Sequence, residues 1–188
     1  MGDGMIRKAI RFLSHVVSGS SPEEDSYPSV VLLLVSPRAI SEEDALRCAS
    51  QAWAENESGV SITAGASRGS WIIQVSDVLF GLRSGHSTWR EPVSERNAAR
   101  RRAWEQHRAW LAVNYEEGAH TPASEWPSCY KLLFLMVHQL WDENCCGFYL
   151  PAQNVTVPNV GDLISSIRWA ARNGTPLEFL KQTEEKEA

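Results

Sequence analysis

Apolar positions Ile6, Ala9, Ile10, Leu13, Val16 and Val17 recur at helical spacing, with Arg7, Lys8 and Arg11 on the other side. The pattern predicts an amphipathic helix over residues 5–17. Gly19 to Ser26 has the composition of a solvated linker, so residues 1–27 read as an appendage ahead of one domain over 28–182. Val30 to Val35 is short, rich in β-branched residues and apolar on both sides, as expected of a central strand covered on both faces. Pro37 stops it. Ser41 can cap the following helix, with Asp44 at N3 and Glu42 and Glu43 near the positive end of its dipole. Ala45, Cys48, Ala49, Ala52 and Trp53 form its inward stripe.

Two strands follow, Val60 to Ala64 and Trp71 to Val75, with Gly65 to Gly69 as a hairpin turn. Residues 76–92 carry Gly, Ser and Pro and predict irregular chain; Val93 to Arg108 predicts a helix and Trp110 to Val113 a strand. The order β, α, β, β, α, β predicts an α+β fold of ferredoxin-like type, an antiparallel sheet with both helices on one face. A C-terminal αβα(β) extension follows. Pro127 sits in the first turn of a helix whose apolar run is Tyr130 to Trp141, Cys145 to Leu150 is a strand, and helical spacing resumes from Asn159. Gly174 and Pro176 stop that helix, Leu177 to Leu180 offers a short last strand, and 183–188 is a charged tail.

Composition narrows the function classes. The 188 residues, 43% hydrophobic and 22% charged, suffice for one core. Lys plus Arg number 18 against 23 Asp plus Glu, a net charge of −5, so the surface as a whole does not attract nucleic acid or anionic lipid. The longest apolar runs, Val30 to Val35 and Leu132 to Val137, are six residues each. Crossing a bilayer takes about 20. The four cysteines are scattered or adjacent, unlike a disulfide framework, and residues 5–17 lack a secretory apolar core and cleavage site, so a cytoplasmic location is expected. The helix over 5–17 is suited to peripheral contact with a membrane surface or a partner, or else it folds back onto the domain.

Several motifs invite chemistry. Gly65-Ala66-Ser67-Arg68-Gly69 matches the nucleophile elbow G-x-S-x-G, but that turn needs a helix after it and the sequence offers a strand, Trp71-Ile72-Ile73. Cys145, Cys146, His138 and Asp142 lie near one corner; adjacent cysteines on a strand face opposite ways, and His138 with Asp142 reads as a surface i, i+4 pair. No metal site and no cofactor are therefore expected. Arg96, Arg100, Arg101, Arg102 and Arg108 make helix 93–108 the one local positive field. They point around the helix with acids between them, so ion pairs on a solvated face outweigh nucleic-acid binding. Paired carboxylates Glu116-Glu117 and Asp142-Glu143 sit at element ends, where charges are ordinarily solvated.

His107, at a helix-to-strand junction, is placed to bond backbone groups left open at the helix end. Its functional counterpart would join His86, Trp89 or Arg90 of the 76–92 segment, since loops on a rigid sheet gather binding groups. Trp89 and Trp126 are the two tryptophans outside periodic core positions and could line a binding surface.

Val31-Leu32-Leu33-Leu34-Val35-Ser36-Pro37-Arg38, His107-Arg108-Ala109-Trp110-Leu111-Ala112-Val113, Gly147-Phe148-Tyr149-Leu150 and Gly174-Thr175-Pro176-Leu177-Glu178-Phe179 follow one another along the chain. In that order they resemble the bacterial family called domain of unknown function 4261, over about residues 28–182. The resemblance implies a bacterial origin and the domain boundaries, and brings no mechanism with it.

These readings point to a non-catalytic binding or protein-interaction module for a protein or small-molecule partner, with Trp89, Arg90, His107 and Trp126 as binding residues. The alternatives are a small enzyme using His86 or His107 for proton transfer with Arg90 as anion clamp, and a weak nucleic-acid binder through the Arg-rich helix.

Overall fold

The computed structural model describes residues 28–53, 60–67, 69–76, 78–89, 97–116 and 122–173. The predicted helix over 5–17, its linker, Arg90, Arg96, the stop at Gly174 and Pro176, the strand 177–180 and the tail lie outside the described residues.

The apolar run at the start of the domain becomes β1, Ser29–Leu34, buried along its whole length. Helix α1, Glu42–Ala52, begins at Ser41, whose hydroxyl accepts from the Asp44 N–H at 3.1 Å and donates to the Asp44 carboxylate at 2.8 Å. That reciprocal pair satisfies an otherwise open N–H of the first turn. Strands β2, Val60–Ser67, and β3, Ser70–Val75, form a tight hairpin in which Ser67 pairs with Ser70 and Gly69 takes a φ of 80°. A strand thus follows the G-x-S-x-G segment, as the sequence implied. Strand β4, Val78–Gly85, pairs with β3 through a second tight turn, with Val75 opposite Val78. Helix α2, Ala98–Gln106, is capped by Asn97, whose Oδ1 accepts from Ala99 N–H and Arg100 N–H; the helix predicted from Val93 therefore starts later. Strand β5 is Ala109–Tyr115, and helix α3, Trp126–Leu140, carries Pro127 in its first turn. Strands β6, Cys145–Leu150, and β7, Val155–Pro158, and helix α4, Leu163–Asn173, complete the described chain.

All seven strands join one antiparallel sheet in the order β2-β3-β4-β5-β1-β6-β7. Two crossovers interlock at its centre. The connection from β1 through α1 to β2 passes over β5, β4 and β3, and that from β5 through α3 to β6 passes over β1. The two start from antiparallel neighbours and run in opposite directions across the sheet. The same handedness then requires both helices on the same face. They share it: α1, α3 and α4 bury Cys48, Leu133, Val137 and Ile167 against Leu32, Leu34, Phe80, Leu111 and Phe148. We call this the front face.

Strand alternation sends Val31, Leu33, Ala112, Cys146 and Tyr149 to the back face, where α2 covers them with Ala103 and Trp104. Both outer strands are poor templates for further pairing. The register of β2 shifts twice and β7 has four residues ending in Pro158.

The α+β class stands, but three expectations need correction. The sheet has seven strands because β4 and β7 form in segments where Gly81, Ser84 and Gly85, or Asn154 and Pro158, mask the alternation of Val78, Phe80 and Leu82, or of Val155 and Val157. The order is not ferredoxin-like. That arrangement places the third strand against the first; here the β3–β4 hairpin already occupies that edge of β3, and β1 lies between β5 and β6. Helices cover both faces, since α2 links neighbouring antiparallel strands and packs on the back.

Candidate ligand-binding face

The back face has two halves. Over β1, β6 and β7 it is aromatic and closed. The Trp104 indole N–H donates to Thr156 Oγ1 at 2.8 Å, its ring meets Tyr149 edge-on with centroids 5.4 Å apart, and the Tyr149 hydroxyl bonds Asn154 Oδ1 at 2.9 Å. Cys146 Sγ lies here, 3.2 Å from the Leu33 carbonyl and 3.5 Å from that of Ala103, while Cys145 joins the front core. Burial pushes the Cys145 thiol up to about 12 and Cys146 to about 11. The two adjacent sulfurs serve different faces, and among the described residues no three potential metal ligands converge.

At the seam between the halves stand Trp89 and Trp110. The Trp110 ring lies across Gly85, where any Cβ would overlap the indole. Trp89 meets it edge-on, centroids 4.6 Å apart. His107 fixes this arrangement. It is buried; its Nε2 accepts from the Trp89 backbone N–H at 3.0 Å, and its Nδ1 lies 2.6 Å from the Trp104 carbonyl. An accepting Nε2 means that Nδ1 carries the proton and donates to that carbonyl. Both ring nitrogens are thereby engaged in tying the segment after β4 to the end of α2.

Over β3, β4 and β5 the same face mixes polar groups with the buried apolar side chains of Ile72 and Leu79. Cross-strand register sets Ser70 opposite Arg83, and Arg83 opposite Ala112. One step along, Ile72, Gly81, Asn114 and Ser29 form the next row. Beyond Asn114, two positions on along the chain, comes Glu116, whose N–H bonds the Leu79 carbonyl at 3.0 Å. Gly81 leaves the middle of this array without a side chain. Ser70 and Asn114 are 4% and 6% exposed; Arg83 and Glu116 are half-buried at its ends.

Two of these groups hold a polar atom without a partner. Among the described residues, Ser70 Oγ, Glu116 Oε1 and the indole nitrogen of Trp89 are buried without a hydrogen bond. Native interiors pair the large majority of buried polar atoms, so several orphans on one patch of sheet call for an explanation. Burial pushes the Glu116 carboxyl up to about 8, and the opposing field of Arg83 does not offset this. The carboxyl is therefore largely protonated at neutral pH.

Of the residues named from the sequence, the structure brings Trp89 and His107 together. His86 is exposed in the bend after β4, and Arg90 lies outside the described residues. Trp126 packs half-buried against the front core, so it does not join the others. In the arginine-rich helix, Arg101 reaches Glu105 at 3.9 Å, and Arg108 donates to the carbonyls of Glu105 and His107, closing the C-terminal turn. His138 and Asp142 do not pair with each other. Asp142 takes Arg38 at 3.0 Å, and His138 lies 3.4 Å from Arg168. Ser70, Arg83 and Asn114 escaped the reading of the sequence, and Glu116, read there as a solvated charge at an element end, instead has a buried carboxyl oxygen. Their signal was a polar residue at period two in a strand otherwise apolar, as Asn114 stands in Ala109–Tyr115.

No family model matches the chain, and no curated protein or solved structure shows significant similarity to it.

Proposed function

We propose that the protein is a non-catalytic binding module and that its ligand is received on the back face over β3, β4 and β5. The observation that carries this reading is the pair of buried side-chain oxygens, Ser70 Oγ and Glu116 Oε1, on this face with no hydrogen bond among the described residues. Leaving such groups unsatisfied costs about 1–3 kcal/mol each. A ligand that bonds them recovers that cost, and the strands that present them are held rigidly by pairing on both sides. Trp89 and Trp110, locked by His107, supply an aromatic wall beside the polar floor. Relatedness to the bacterial family domain of unknown function 4261 is proposed on its four motifs alone and adds no activity. A screen of small polar compounds by amide chemical shift tests the reading. Hits should perturb residues 70–75, 79–85 and 110–116; hits mapping to other surfaces, or none at all, would refute it.

One observation favours an enzymatic alternative. With both ring nitrogens of His107 engaged, proton transfer would fall to Glu116, whose carboxyl is held in its acid form near neutrality, as general acids require.

A further inference from the structure

Half of the back face is buried although no described helix lies over it. Ile72 and Leu79 are 1% and 3% exposed, and Ser29, Ser70 and Asn114 are buried beside them. Helices α1, α3 and α4 pack on the front, α2 rests on β1, β6 and β7, and neither apolar cluster of described residues contains Ile72 or Leu79. On a bare sheet face the neighbouring strands flank a side chain and leave its tip open to water, so an isoleucine closed off this far has something above it. The structure holds this chain alone, so the cover is the chain's own.

We propose that the N-terminal amphipathic segment, residues 5–17, docks its apolar stripe on the back face over β3, β4 and β5. Composition selects it among the stretches outside the described residues. Residues 54–59 and 117–121 hold no aliphatic side chain larger than alanine, 90–96 offers only Pro92 and Val93, and 174–188 leaves from α4 on the front, whereas 5–17 carries Ile6, Ile10, Leu13 and Val17 along one side. Its point of entry agrees. The Pro28 carbonyl accepts from the Tyr115 N–H at 3.1 Å and Ser29 pairs with Asn114, so the N-terminal chain joins the sheet at the end of the row Ser29, Asn114, Gly81, Ile72. Reach is ample: residues 18–28 can extend up to about 35 Å, and β1 to β3 is about 14 Å. A helix over 5–17 is about 20 Å long, enough to lie across those strands, and Gly81 in the middle of the row lets it approach closely. Arg7, Lys8 and Arg11 belong to its other side. The docking does not depend on the binding reading above and adds a condition to it: a ligand reaches Ser70 Oγ and Glu116 Oε1 only by displacing the segment.

Methyl-labelled full chain, examined by nuclear Overhauser contacts and by hydrogen exchange, tests this. Methyl groups of Ile10 or Leu13 should contact those of Ile72 or Leu79 within one chain. The double substitution Ile10→Glu with Leu13→Glu places two charges on the stripe; it should abolish those contacts, shift the amides of residues 70–72, 79–83 and 114, and speed exchange at Ile72 and Gly81 at least about tenfold. Arg11→Gln, on the other side of the segment, should leave contacts and exchange as in the parent. Should the double variant fail to fold, the contacts in the parent chain decide alone. Contacts to Ile72 and Leu79 from Leu177 or Leu180 instead, contacts that arise only between copies in a mixed-label sample, or none at all would overturn the proposal, as would unaltered exchange in the folded double variant. Intrachain contacts together with a compound screen that yields no hits would remove the binding reading and leave the docking; hits on this face without the contacts would do the reverse.

Discussion

His107 shows how far a single side chain can be committed before any ligand arrives. Replacement by Phe keeps the volume near Trp104 and removes both hydrogen bonds, leaving the Trp89 N–H and the Trp104 carbonyl without their partner. We expect a loss of about 2–4 kcal/mol in urea unfolding. Gly85→Ala drives a methyl group into the Trp110 ring and should cost about 1–3 kcal/mol, with a change in tryptophan fluorescence as the ring is displaced. Glu116 should behave in the opposite sense. Its folded carboxyl titrates at about 8 against an ordinary value of 4.5, so its contribution to stability is complete below that lower value and is lost as pH rises towards 8. Thermal melts of Glu116→Gln should match the parent in acid and exceed it at and above neutral pH. A parent curve that does not decline relative to the variant across that window would contradict the assignment. All four cysteines are buried, and burial raises the thiols of Cys48, Cys129, Cys145 and Cys146 alike. A colorimetric thiol reagent should therefore react slowly with the native protein and fully after denaturation.

At the level of elements, Ser41→Ala removes the cap of α1 and should lower stability by about 1 kcal/mol in denaturant titration, with loss confined to its first turn by hydrogen exchange. This helix was legible from residues alone because its start is written in local chemistry, a hydroxyl followed by acids and then a periodic apolar stripe. Strands β1 and β6 were legible for the same reason, as unbroken apolar runs between turn residues. Strand β4 was not. Its apolar set, Val78, Phe80 and Leu82, faces the front core, while Gly81, Arg83 and Gly85 alternate with it, and a local reading sees only glycine and polarity. The candidate site was hidden by the same effect, because its residues belong to three strands that meet only through pairing. Asn114 reads as a strand-end polar residue until β4 is laid beside it with Gly81 opposite. Trp89 and His107 were placed together correctly in outline, yet the histidine's two bonds depend on where α2 ends, which no spacing rule supplies.

For the whole molecule, pairing order matters more than any local preference. The most buried strand, β1, is bounded by β5 on one side and β6 on the other, both of which come far later in the chain. Contacts of such separation slow folding, since chain entropy is lost before they form. During synthesis, Val30 to Leu34 leave the ribosome with neither neighbour yet made, and Asn114, the partner of Ser29, follows on the order of several seconds later at ordinary rates of elongation. Over that interval five consecutive apolar residues stand as an open template for other nascent chains. Expression of this protein should accordingly depend on holdase chaperones acting early on the growing polypeptide, and fragments released before residue 145 should accumulate as inclusion bodies.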